Sequence, residues 1–160
     1  MVTIKIDGRE VDVPENAPIL EGARKLGIKI PTLCHHPELE PYGVCRVCTV
    51  EVRRGGRTRY VTSCNFPAQK GVEVFTNTET VREMRKLLFE LLLAQAPLAR
   101  DVRALAKEYG VEKTRFFIKD PNSNCHLCGL CVRVCSEIVG ANAIGFAGRG
   151  TTREVRTPLT

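Results

Sequence analysis

Eight cysteines lie in two groups of four, and their spacing constrains this chain more than any other feature. Cys34, Cys45, Cys48 and Cys64 are separated by ten, two and fifteen residues, and Cys125, Cys128, Cys131 and Cys135 by two, two and three. The opening MVTIKIDGREVDV alternates apolar and polar residues instead of showing a basic then apolar signal region, and no uninterrupted apolar run approaches the ~18 residues of a membrane span. The chain is therefore expected in the cytoplasm, without membrane insertion, with its thiols reduced. Reduced and clustered thiols point to metal or redox chemistry, not to a disulfide scaffold.

In the first set, three sulfurs on one loop and a fourth from a following hairpin can wrap a metal centre, as in plant-type ferredoxin spacing, where a longer gap also precedes a close pair. Soft thiolate suits iron in both redox states. Gly43 suits a loop whose amides approach sulfide and hydrogen-bond to it. A structural zinc site normally shows two close cysteine pairs, and this set has one. In the second set, three sulfurs within seven residues fit three corners of a cubane, too dense a run for tetrahedral zinc. Its fourth cysteine, Cys135, follows x3, the position that in two-cluster ferredoxins serves the other cluster, and no second copy of the motif is present. Cys135 either folds back to complete the site or leaves the fourth corner to an outside ligand.

The chain has 160 residues and a formal charge of +6, which alone would invite a nucleic-acid reading. Eight thiolates holding two oxidised clusters would lower that to about +2, because each cluster with its thiolates carries about -2. The basic hairpin of Arg53, Arg54, Arg57 and Arg59 has no interleaved aromatics for base stacking and reads as a solvated turn. His35 and His36 read as solvated loop histidines. Gly145, Gly148 and Gly150 lack the dinucleotide spacing, so no flavin or nicotinamide site is legible.

Periodicity divides the chain into three. Val2, Ile4 and Ile6, the Asp7-Gly8 turn, and Val11 and Val13 predict a β-hairpin. Asn16 is expected to cap a short helix through Leu26, with Gly27 beyond its end. Thr49–Val52 and Tyr60–Ser63 predict a second hairpin, and Val72–Thr76 a last strand. Residues 1–77 thus form a small α+β module. In 78–110, Thr80 with Glu83 matches a capping box, and Val81, Met84, Leu87, Leu88, Leu91 and Leu92 predict the buried stripe of a helix reaching about Gln95. Val102, Leu105, Ala106 and Tyr109 predict another that stops at Gly110. In 111–160, a short helix through Val139 and a strand at Ile144–Phe146 accompany the second cysteine set.

Three quoted stretches carry a family resemblance: Ile30-Pro31-Thr32-Leu33-Cys34-His35-His36-Pro37, Gly43-Val44-Cys45-Arg46-Val47-Cys48, and Val61-Thr62-Ser63-Cys64-Asn65. They resemble the N-terminal [2Fe-2S] domain of the large iron-sulfur subunit of complex I. Iron-only hydrogenases, some NAD-linked formate dehydrogenases and the diaphorase iron-sulfur subunit of NAD-reducing hydrogenases share that pattern. The stretch from Asn124 to Cys135, with Ala143-Ile144-Gly145-Phe146 and Gly148-Arg149-Gly150, resembles their following ferredoxin-like segment. The resemblance implies an α+β chain: a β-grasp [2Fe-2S] domain (1–77), a helical linker (78–110) and a small [4Fe-4S] segment (111–160). The implied ligands are Cys34, Cys45, Cys48 and Cys64 for the [2Fe-2S] cluster, with Cys125, Cys128, Cys131 and Cys135 for the [4Fe-4S] cluster.

Two departures stand out. Family members commonly place His-Pro-Leu-Asp-Cys and two more cysteines after the leucine-rich helix to bind a further cluster. Here the stretch reads Ala96-Pro97-Leu98-Ala99-Arg100, with Arg103 and Tyr109 where later cysteines would fall, so that cluster is expected to be absent. Members also continue into a second Cys-x2-Cys-x2-Cys motif, whereas this chain stops at Thr160. The expected function is that of a non-catalytic electron-transfer subunit of an NAD(P)-linked oxidoreductase complex. It would relay single electrons between a flavin-containing, NADH-oxidising subunit and a catalytic redox subunit such as a hydrogenase or formate dehydrogenase, with no nucleic-acid partner. The rival readings are a free two-cluster ferredoxin and a zinc-stabilised nucleic-acid-binding module.

Overall fold

The computed structural model describes residues 1–158, so the last two residues of the 111–160 segment, Thr160 among them, lie outside the described part. The chain opens with the expected hairpin, β1 (Val2–Ile6) and β2 (Arg9–Val13), turning at Asp7 and Gly8 with φ of 47° and 81°. Two successive positive φ values are what a two-residue hairpin turn needs to match strand twist. Asp7 also accepts the Thr76 amide at 2.8 Å, pinning the turn to the end of the sheet's last strand.

A helix, α1 (Ile19–Lys25), packs on the sheet through Ile19, Leu20, Gly22 and Ala23. Gly22 is required by closeness: a Cβ there would meet Ile6, Ile4 and Val11 side chains at 3.2–3.3 Å. The expected Asn16 cap is not made. Asn16 turns with φ of 66°, Pro18 occupies the capping position, and the free amides of Ile19 and Leu20 donate instead to the Phe66 and Ser63 carbonyls at 3.0 and 2.9 Å. Backbone around Cys64 thus satisfies the helix start. Gly27, at φ 71°, ends it as expected.

Strands β3 (Thr49–Arg54) and β4 (Arg57–Thr62) form the second hairpin, and β5 (Glu73–Phe75) follows. The five strands run in the order β2-β1-β5-β3-β4, with β5 parallel to β1 and the other neighbours antiparallel.

Helix α2 (Glu79–Gln95) begins two residues before the expected capping box, because Thr78 accepts the Val81 amide at 3.3 Å and is itself held by Glu51 on β3. Its buried row is Val81, Arg85, Phe89 and Leu93, while Leu87 and Leu91 are exposed. The expected leucine stripe is therefore rotated: an arginine fills a core position, its stem packing as an aliphatic chain and its head meeting buried carbonyls. Helix α3 (Arg100–Glu108) buries Val102 and Ala106 and stops at Gly110, as expected. In place of one short helix through Val139 the chain forms α4 (Leu130–Arg133), which widens into a π-helical turn at Val134–Ile138. Strand β6 (Gly145–Ala147) pairs with an unforeseen β7 (Glu154–Arg156).

Two apolar cores result. One lies between the sheet and α1 and includes Cys48 and Cys64; the other joins Cys34, Cys45 and Val47 to Phe89, Leu93, Val102 and Ala106 of α2 and α3. The first cysteine set stands at the seam of the two. Among the described residues, no helix is long and apolar enough to cross a membrane.

Candidate metal centre

Cys34, Cys45, Cys48 and Cys64 are brought together and all four are buried. The loop that carries three of them needs left-handed backbone at Gly43 (φ 69°) and Arg46 (φ 63°). At Gly43 a side chain is excluded twice, since an added Cβ would sit 2.6 Å from Asn65 Nδ2. This path turns amides toward sulfur: the Cys45 amide donates to Cys34 Sγ at 3.5 Å, with the Gly43 and Val44 amides also stabilising the Cys34 thiolate. The Val47 amide faces Cys45, and the Cys64 amide faces Cys48.

The thiols interact as two pairs. A hydrogen bond from Cys45 brings Cys34 down to about 5, and the same bond, with burial and the Cys34 charge, pushes Cys45 upward. Cys64 likewise brings Cys48 down to about 7 and is itself pushed up, first by that bond and then by burial. Each pair thus favours one thiolate beside one retained proton. Charge is also felt between pairs, because Cys34 and Cys45 both oppose ionisation of Cys64. Among the described residues no three His, Cys, Asp or Glu side chains converge on a single metal ion. Two sulfur pairs, buried and surrounded by amides, fit a two-iron group: thiolates supply the ligand charge and N–H groups offset it.

In the second set, Leu127 (φ 55°) and Gly129 (φ 77°) curl the loop, and a Cβ at Gly129 would meet the Phe146 and Tyr42 rings at 3.2 and 3.3 Å. Cys125 and Cys131 are exposed, whereas Cys128 and Cys135 are half-buried. Burial raises the Cys128 thiol, and the charges of Cys131 and Cys125 add to that. Cys135 is held differently. Its sulfur accepts the Ala143 amide at 3.2 Å and its carbonyl accepts the amides of Ala141 and Asn142, tying it to the following turn.

Some expected residues are placed otherwise than read. His35 is not a freely solvated imidazole: its Nδ1 is buried without a partner, and burial followed by Arg24 lowers its pKa. His36 is exposed and accepts the Glu38 amide at 3.3 Å. Arg57 and Arg59 are solvated, but Arg53 pairs with Glu51 and stacks over Phe75 at 4.2 Å. Sequence reasoning missed two residues near the second set. His126 has both ring nitrogens buried, with Nε2 3.6 Å from Asp101, and Arg133 is buried between Cys131 and Cys135. The one available signal was Arg133 four residues before Glu137, the spacing of a helical ion pair.

Residues 1–79 match the 2Fe-2S iron-sulfur cluster binding domain family. Over 98% of its length the chain is 37% identical to the NADPH-Fe(3+) oxidoreductase subunit alpha of Geobacter sulfurreducens, covering 21% of that protein. It is 33% identical to the NADH-ubiquinone oxidoreductase 75 kDa subunit of Reclinomonas americana, again over 98% of the chain and covering 26% of the relative. The chain thus spans between a fifth and about a quarter of these curated relatives. Both alignments, at 181 and 180 positions, are longer than the chain, so the relatives carry insertions relative to it. A chain of the crystal structure of NAD+-reducing [NiFe]-hydrogenase in the H2-reduced state superposes with a TM-score of 0.84 at 31% identity. The match covers 98% of this chain and 74% of that one.

Proposed function

The chain belongs to the family of iron-sulfur electron-transfer subunits of NAD(P)-linked oxidoreductases, and we propose that it relays single electrons within such a complex. The observation that carries this reading is the pair of buried thiol pairs in a ring of amides. Cys34, Cys45, Cys48 and Cys64 would hold a [2Fe-2S] cluster there. When bound, the cluster would supply the one-electron chemistry of the relay. The protein's share is to supply four thiolates, aim the Gly43, Val44 and Cys45 amides at Cys34, and exclude water between two apolar cores.

The second cysteine set is assigned to a [4Fe-4S] cluster, with Cys125, Cys128 and Cys131 as three ligands and the fourth corner taken by Cys135 or by an outside group. The sheet order with α1 against it supports a β-grasp for 1–77, followed by the linker (78–110) and the cluster segment (111–160). The proposed partners are a flavin-containing, NADH-oxidising subunit and a catalytic redox subunit, in a cytoplasmic complex.

Anaerobic reconstitution of the chain with iron and sulfide tests this. A brown protein with a [2Fe-2S] EPR signal on reduction is the expected result. A colourless protein that retains zinc in preference to iron overturns the reading.

A further inference from the structure

Arg133 lies 8% exposed between Cys131 and Cys135, and its guanidinium reaches beyond its own cysteine segment to the loop that carries Cys34. Nη1 donates to the Cys34 carbonyl at 3.3 Å, Nη2 donates to the Glu40 carbonyl, and the cation lies 5.2 Å from the centre of the Tyr42 ring. Nε binds Glu137 Oε1 at 3.0 Å, and Glu137 Oε2 accepts the Glu40 amide at 3.1 Å. One ion pair thus grips both polar groups of Glu40 and the carbonyl of Cys34, across 93 to 99 residues of sequence. Cys128 packs against the same apolar core as Cys34 and Cys45, so the two cysteine loops share that core.

We propose that Arg133 is a positioning residue that locks the second cysteine segment onto the Cys34 loop and sets a buried cation behind the cluster held by Cys34. The proposal rests on the cluster reading above. Two consequences follow from charge and geometry. A planar guanidinium directs donors on three separate nitrogens at two carbonyls and a carboxylate, a geometry that the single ammonium nitrogen of a lysine does not reproduce. A thiolate-bound cluster gains one negative charge on reduction, so a fixed cation in a water-poor site favours the reduced form and raises the potential. Glu137 offsets this only in part: its side chain is 32% exposed against 9% for Arg133, and water screens its charge more strongly.

The test uses the full chain reconstituted with iron and sulfide, beside Arg133→Gln and Arg133→Lys. Potentiometric titration of the [2Fe-2S] EPR signal should give a more negative midpoint in Arg133→Gln, with Arg133→Lys close to wild type because it restores the charge. Hydrogen exchange at the Glu40 amide should be faster in both variants, since neither rebuilds the fork. An unchanged midpoint in Arg133→Gln, or an equal fall in both variants, overturns the electrostatic role; unchanged exchange at Glu40 overturns the clamp. Should Arg133→Gln fail to fold, Glu137→Gln provides the second variant: loss of the counter-charge should move the midpoint positive, and a midpoint at or below wild type overturns the proposal. A wild-type chain with no [2Fe-2S] signal overturns the cluster reading and the electrostatic role together, while Glu40 exchange still decides the clamp.

Discussion

Arg85 Nη1 donates to the Tyr109 hydroxyl at 3.1 Å, and this bond ties α2 to the end of α3. The same guanidinium holds the Val47 and Thr49 carbonyls at 3.1 and 2.8 Å, on either side of Cys48. The Tyr109 ring packs on Phe89 with centroids 5.1 Å apart. Tyr109, one of the two residues expected where later cysteines would fall, is part of a hydrogen-bonded strut.

Removal of that strut should be costly. Arg85→Ala leaves two buried carbonyls without donors, each worth about 1–3 kcal/mol, so we expect a loss of about 3 kcal/mol or more. The fall in urea midpoint measures it. Tyr109→Phe removes one hydrogen bond but keeps the ring and should cost only about 1 kcal/mol.

Iron content tests whether the linker binds a third cluster. With Arg103 and Tyr109 in place of thiolates, the fully loaded chain should hold about six irons, two plus four, on the stoichiometry of the two remaining motifs. A count of about ten would mean that a third cluster is bound after all.

Gly43→Ala should damage the [2Fe-2S] site selectively. The residue has φ of 69°, which costs an L side chain about 1–2 kcal/mol, and the new methyl would press on Asn65 2.6 Å away. Either relaxation turns the amides from Cys34. We expect lower [2Fe-2S] occupancy, read as sulfide retained per chain, with helical circular dichroism unchanged.

Cys48→Ala tests the ligand assignment directly. Loss of one sulfur leaves Cys64 without its pair, and the [2Fe-2S] EPR signal should vanish while that of the second cluster persists. An unchanged [2Fe-2S] spectrum would sink the assignment.

What could be read from the sequence was what depends on neighbours along the chain. Asp7-Gly8 announces a hairpin because its turn needs positive φ, and Gly27 and Gly110 announce helix ends for the same reason. What escaped depends on distant partners. The α1 cap is supplied by the Phe66 and Ser63 carbonyls, not by Asn16, and Thr78 prevails over Thr80 as a cap because Glu51 waits beside it. Arg85 hid the true inner row of α2, since a polar letter in a core position breaks the apolar pattern. Strand β7 has three residues and is defined only by β6. At the cysteines, spacing selects the sulfurs, but the pairing of thiols and the reach of Arg133 to Cys34 arise only when the loops meet.

The last prediction concerns Cys135. In a dense cysteine run the three leading sulfurs can occupy three cubane corners. Cys135 instead accepts the Ala143 amide through sulfur and two more amides through its carbonyl, a local role that oxygen can also perform. Cys135→Ser should therefore leave the [4Fe-4S] signal in place, because the serine hydroxyl can still accept from Ala143 and the fourth corner is filled from elsewhere. Conversion to a three-iron signal, or loss of the cluster, would instead make Cys135 a direct ligand.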